Sequence, residues 1–164
     1  MSYRNPSFES KICAPNDLME RVISIDRPLV FTNGVFDLLH RGHATYLDQA
    51  RSLGASLLVA LNGDASARRL NKGADRPVNT LDDRAAVIAA LSSVSIVTWF
   101  DTDTPLELIM TVRPEVLVKG GDWKPSEMVG AREVSSWNGA VHSIPFAFDR
   151  STTATLMRIR GPKT

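Results

Sequence analysis

Cysteine is nearly absent from this chain, with Cys13 alone in 164 residues. A single thiol excludes an internal disulfide framework and suits a reducing compartment. A surplus of charge is missing too, since nineteen basic and eighteen acidic side chains leave a net charge of +1. That balance offers no electrostatic footprint for nucleic acid or for a membrane surface. No apolar run approaches the ~20 residues that span a bilayer. The polar start Met1-Ser2-Tyr3-Arg4-Asn5-Pro6 lacks the apolar core of a signal peptide. Histidine is scarce, limited to His40, His43 and His142. A zinc site would need carboxylates to complete it, so no resident metal is expected. What remains is one globular domain of ordinary composition, large enough to bury a core and expected in the cytoplasm.

Residues 1–14 read as a loosely ordered N-terminal segment and residues 15–164 as the folded domain. A short helix is predicted after Pro15-Asn16-Asp17, with Leu18, Val22 and Ile25 on its apolar stripe. Strands are predicted over 29–32, 56–61, 95–99, 115–119 and 140–144. The helix predicted over 81–91 opens on a capping box, Thr80 with Asp83. Another should start at Thr104-Pro105-Leu106-Glu107, with Thr104 as cap and Pro105 in the first turn. A last helix is predicted from Ser151 to about residue 159. Alternating strands and helices imply an α/β fold: a Rossmann-like, doubly wound sheet of about five parallel strands. Right-handed crossovers bring the carboxyl ends of those strands to one edge, where ligands bind.

At that edge lies His40-Arg41-Gly42-His43, between the strand ending at Thr32-Asn33-Gly34 and a helix with apolar or small residues at Ala44, Leu47, Ala50 and Leu53. Strand-to-helix junctions in parallel sheets hold phosphates. Gly42 removes a side chain where a phosphate would approach the backbone. Histidines three apart near a helix start can face the same way and grip one phosphoryl group. His-x-Gly-His alone is a weak pattern; preceded by a strand and by Thr32-Asn33-Gly34-Val35-Phe36-Asp37, it is strong.

Other edge segments carry unusual residues. Asn71-Lys72-Gly73-Ala74-Asp75-Arg76-Pro77 follows Arg68 and Arg69. It is either a lysine-bearing lid over a polyphosphate or a solvated loop, and the residues do not separate the two. Lys119-Gly120-Gly121-Asp122-Trp123 follows a strand, its glycines letting the backbone close on a ligand. Arg150-Ser151-Thr152-Thr153 opens a helix, where hydroxyls and free amides suit a phosphate and Ser151 also caps. Arg84, taken alone, reads as a surface ion pair with Asp83 or Asp101.

The block from Thr32 through His43 resembles the signature of the nucleotidyltransferase superfamily. Arg-Pro-Val-Asn at 76–79, Val-Lys-Gly-Gly-Asp-Trp at 118–123 and Ser-Thr-Thr at 151–153 make the chain most similar to the D-glycero-β-D-manno-heptose 1-phosphate adenylyltransferases in their stand-alone form. The resemblance spans about residues 29–159. It implies ATP and a sugar 1-phosphate as partners, with ADP-heptose for the lipopolysaccharide inner core as product and Mg²⁺ carried mainly by the ATP phosphates. A homodimer accords with the family. The resemblance assigns catalysis to His40, His43 and Lys72. Thr32, Asn33, Gly34, Phe36, Gly42, Gly120, Gly121, Asp122, Trp123, Ser151, Thr152 and Thr153 would bind the nucleotide. Asp37, Asn62, Arg84 and Lys119 would bind the other substrate. Glycerol-3-phosphate cytidylyltransferases carry similar elements but Gly-Thr-Phe-Asp where this chain reads Asn33-Gly34-Val35-Phe36-Asp37. A cytidylyltransferase and a nucleotide-binding regulator without turnover are the rival expectations.

Overall fold

The computed structural model describes residues 4, 6–71, 73, 75–148 and 150–161. Within these, five strands form one all-parallel sheet in the order β3-β2-β1-β4-β5. They are β1 (Leu29–Gly34), β2 (Ser56–Asn62), β3 (Ile96–Phe100), β4 (Val116–Gly120) and β5 (Ala140–Ile144). Seven α-helices accompany them: α1 (Leu18–Ile23), α2 (Arg41–Arg51), α3 (Asp64–Arg69), α4 (Leu81–Ala89), α5 (Leu106–Val112), α6 (Ala131–Ser136) and α7 (Thr152–Arg160).

Side-chain alternation along the strands sorts the core into two layers. Val30, Leu57, Val59, Leu61, Val97 and Val118 face one side, where Leu47 and Ala50 of α2 and Ile88 of α4 cover them. Leu29, Phe31, Leu58, Ala60, Ile96 and Leu117 face the other, under Val22 of α1, Ile109 of α5 and Val134 of α6. The chain runs outward from β1 to β3, then crosses back to place β4 beside β1. The switch point of this doubly wound sheet therefore lies between the carboxyl ends of β1 and β4. Lys119 Nζ donates to Asn33 Oδ1 across that gap at 3.1 Å.

Local caps behave as the residue types dictate at two of the three predicted cap positions, Thr80, Thr104 and Ser151. Thr80 Oγ1 accepts from Asp83 N at the head of α4, and Ser151 Oγ accepts from Ala154 N at 3.0 Å at the head of α7. Thr104 does not cap α5. Pro105 takes the N-cap position without a side-chain cap, and the Thr104 carbonyl accepts from Thr102 Oγ1 at 2.8 Å. Tertiary contacts hold this turn instead, because Ser66 Oγ on α3 donates to Thr102 O at 3.0 Å.

Within the segment 1–14, read from sequence as loosely ordered, residues 7–13 make specific contacts. Ser7–Lys11 forms a 3-10 turn, and Ile12 pairs with Val97 in a parallel bridge. Cys13 N donates to Val97 O at 2.9 Å and Lys11 Nζ to Leu91 O at 2.9 Å. Phe8 and Ile12 pack on the first core layer, while Cys13 is buried in the second. This segment occupies the outer edge of β3, whose amides and carbonyls would otherwise lack partners. No helix among the described residues is long and apolar enough to cross a membrane.

Candidate active site

A cleft of about 630 Å³ opens at the carboxyl ends of the strands, within the size range of small-molecule sites. Of the residues singled out by sequence, Asn33, Gly34, Phe36, Asp37, His40, His43, Asn62, Lys119, Gly120, Trp123, Ser151, Thr152 and Thr153 line it. Lys72 lies outside the described residues.

His40 is the N-cap of α2, in extended backbone, and its Nδ1 accepts from His43 N at 3.4 Å. A neutral ring that accepts through Nδ1 carries its proton on Nε2, leaving that atom as a donor. The His40 and His43 rings stack with centroids 3.7 Å apart at 17°, and Phe36 meets His43 edge-on at 5.2 Å. His43 Nδ1 is buried without a hydrogen bond. Burial lowers the His43 imidazole from 6.5 to about 4; His40 beside it adds to the effect and the Leu38 carbonyl opposes it. His40 is also lowered, by burial first and by Arg150 in addition, against its own backbone carbonyl. The pair is therefore neutral at pH 7 and can donate hydrogen bonds without the repulsion of two stacked cations.

This shift couples to folding. The unfolded chain binds the His43 proton near 6.5 and the folded chain only near 4. Stability should therefore fall as pH drops through that window and level off below it. Ring-proton NMR should find His43 still neutral at about pH 5. A midpoint near the ordinary 6.5 would contradict the burial argument.

Five expected contacts are not in the cleft wall. Thr32 is buried, its Oγ1 2.6 Å from the Tyr46 hydroxyl, so it orients Tyr46, which does line the cleft. Gly42 sits inside the first turn of α2; a Cβ there would lie 3.1 Å from His40 Nδ1, so its role is to let the His40 ring fold back. Gly121, at φ +110°, shapes the turn after β4 rather than the wall, and its N donates to Ile144 O at 2.8 Å. Asp122 is exposed outside the lining.

Arg84 is the fifth and the largest correction. Its side chain is fully buried. Nε donates to Asn79 O at 3.2 Å, Nη1 to Val35 O at 2.7 Å, and Nη2 to Asp64 Oδ1 at 2.7 Å. All three guanidinium nitrogens are engaged inside the protein, so Arg84 does not face a phosphate. Asp37 borders the cleft but is similarly committed. Oδ2 receives Arg76 Nε at 2.6 Å, and Oδ1 receives the amides of Val78 and Asn79 at 2.8 and 3.0 Å. Asn79 Nδ2 returns a bond to Asp37 O at 2.8 Å. Arg84 and Asp37 thus clamp residues 76–79 onto the signature turn.

Sequence reasoning gave no site role to Tyr46, Asp103, Thr104, Glu127 and Phe146, and it named Arg76 and Arg150 only within the segments it singled out, though all seven line the cleft. Phe146 carried a usable signal, an aromatic just past a strand's carboxyl end at the functional edge. Its ring edge is 2.8 Å from where a Gly120 Cβ would stand and it packs edge-on to Tyr46 at 5.9 Å. Phe146 and Trp123 remain 49% and 48% exposed, two large aromatics held open at the cleft. Phe148 supports the approach to α7 by lying under the Arg41 guanidinium, 3.8 Å from its ring centroid.

The described residues contain no group of three or more His, Cys, Asp or Glu able to hold a metal, and both oxygens of the buried Asp37 carboxylate already accept hydrogen bonds.

The cytidylyltransferase-like family matches residues 31–157. The chain is 56% identical, over 93% of its length and 96% of the relative's, to a D-beta-D-heptose 1-phosphate adenylyltransferase of Bordetella bronchiseptica. It is 47% identical over 97% of its length to a bifunctional protein HldE of Syntrophotalea carbinolica, of which it spans 33%. Among solved structures, a lipopolysaccharide core biosynthesis protein of Thermoplasma volcanium superposes with a TM-score of 0.59 at 26% identity, over 74% of this chain and 98% of that one. A pantothenate synthetase of Thermus thermophilus shares the fold at TM-score 0.56 and 14% identity, over 82% of this chain and 61% of that one.

Proposed function

The chain belongs to the cytidylyltransferase-like family and is a nucleotidyltransferase; from that premise we propose that it transfers AMP from ATP to D-glycero-β-D-manno-heptose 1-phosphate. The products are ADP-heptose, for the lipopolysaccharide inner core, and pyrophosphate. The observation that carries this choice is the 56% identity to a heptose 1-phosphate adenylyltransferase along almost the whole of both chains. A cytoplasmic location goes with the reading.

An ionised oxygen of the sugar phosphate attacks the α-phosphorus in line. The bond from that phosphorus to the bridging oxygen breaks, and pyrophosphate leaves with the electron pair. The nucleophile is already deprotonated, so no general base is needed; the protein supplies position and electrostatic stabilisation. His40 and His43 donate to the α-phosphate and the bridging oxygen. The amides at the head of α7, with the Ser151, Thr152 and Thr153 side chains, receive the β- and γ-phosphates, supported by the helix dipole. Asn33 and Gly34 hold the phosphates from the end of β1. On the motif alone, Lys72 takes the leaving group. Phe36, Gly120, Trp123 and Phe146 border the nucleoside, and Arg76, Asn62 and Lys119 border the acceptor phosphate. A divalent cation such as Mg²⁺, held mainly by ATP oxygens and water, would supply charge neutralisation at the phosphates.

Pyrophosphate release tests the reading directly in a matrix of ATP or CTP against heptose 1-phosphate or glycerol 3-phosphate. ATP with the β-heptose 1-phosphate should exceed CTP with the same acceptor by on the order of 10²-fold or more in kcat/KM, because a wrong base edge leaves buried polar groups unpaired. Comparable turnover of CTP and glycerol 3-phosphate would make the protein a cytidylyltransferase. Nucleotide binding with no release for any pair would make it a regulator.

A further inference from the structure

The cleft wall combines stretches of different chemistry. At the β5 end lie the head of α7, Arg150 and two half-exposed aromatics, which suit a triphosphate and a base. Near the end of β3 the wall is built from residues 103–105, and residues 127–129, which follow a short turn packed on β5, also line the cleft. Met128 and Val129 border both this wall and a smaller hollow against Leu106, which brings the two segments together. The surface here is apolar through Leu70, Pro105 and Val129, with two carboxylates, Asp103 and Glu127.

Asp103 is not a freely swinging surface group. Arg69 Nε on α3 donates to its Oδ1 at 2.7 Å, while Arg69 Nη2 also donates to the Asp101 carbonyl. One guanidinium thereby fixes both the loop and the carboxylate.

We propose that this end of the cleft receives the uncharged polyol end of the acceptor, and that Asp103, oriented by Arg69, is the residue that selects it. The inference rests on the heptose adenylyltransferase reading above. A carboxylate accepts hydrogen bonds from two neighbouring hydroxyls at once, and the apolar wall meets the C–H faces of a sugar. The acceptor's phosphate then points toward Arg76 and Lys119 on the cleft wall. Hydroxyls outward and phosphate inward is the orientation that the transfer requires.

Asp103→Ala and Asp103→Asn test this with heptose 1-phosphate and with mannose 1-phosphate, which lacks the terminal carbon and its hydroxyl. The Asp103 side chain is 82% exposed, so its removal leaves no cavity. Asp103→Ala should lower kcat/KM for heptose 1-phosphate by roughly tenfold, the size of one or two hydrogen bonds, and collapse the preference over mannose 1-phosphate. Asp103→Asn should fall between, because the amide keeps one acceptor. KM for ATP should stay within about twofold of the parent value. Equal losses on both sugars, a loss expressed in KM for ATP, or unchanged acceptor selectivity would each overturn the role. A parent enzyme inactive on heptose 1-phosphate would overturn the adenylyltransferase reading itself, and this inference with it.

Discussion

Replacing His43 by alanine should lower kcat by roughly 10²–10³-fold, the loss typical of removing one donor to a developing anion. ATP affinity should change far less, since the contact strengthens as charge moves onto the bridging oxygen. The ring's surroundings support this division. His43 is held on the cleft wall by stacking on His40 and by the edge of Phe36. Its neutral state at pH 7 follows from burial, with a midpoint near 4, so the donor does not depend on a bound proton that neutral solution would remove. Steady-state kinetics with both substrates varied provide the measurement. A rise in KM for ATP with kcat intact would assign His43 to ground-state binding instead.

Where information is local, the sequence was readable. Buried β-branched runs marked the strands to within one or two residues, and Thr80 and Ser151 marked helix starts through a hydroxyl reaching an amide three residues on. The strand-to-helix junction located the histidines because the junction itself is a local pattern. Short α3 and α6 escaped, being six residues each and lacking a capping side chain. Thr104 failed as a cap for the complementary reason: partners on α3, distant in sequence, already held its turn.

Site membership was harder to read, because it depends on which way a side chain points. Thr32 and Asn33 are adjacent on β1, yet alternation buries Thr32 against Tyr46 and leaves Asn33 on the cleft. Asp103 and Arg69 stand 34 positions apart and meet only through the β2–β3 neighbourhood. Arg84 was the most misleading, since an arginine one turn into a helix at the functional edge has the right charge for a phosphate. Its partners, Val35 O and Asp64, lie 49 and 20 positions away, and no local pattern announces them.

Those partners set what Arg84→Ala should do. The substitution leaves two carbonyls and the Asp64 carboxylate without their donor and opens a cavity the size of a buried arginine. Breaking a buried ion pair from one side costs about 3–5 kcal/mol; Asp64 is 30% exposed, and water can reach it, so the lower end of that range applies. For a domain of this size each kcal/mol moves Tm by about 2–4 °C, giving a fall of roughly 6–12 °C without any ligand. Arg84→Lys should recover only part of it, because one ammonium cannot reach three acceptors arranged for a planar fork. Thermal unfolding of the ligand-free protein separates this role from a phosphate contact. A substrate-binding arginine would leave the ligand-free Tm nearly unchanged and weaken only the added stability that ATP confers. A clamp lowers the ligand-free Tm first, and loses activity because Val35 and residues 76–79 no longer hold the signature turn beside the histidines. An unchanged ligand-free Tm would therefore return Arg84 to the substrate site.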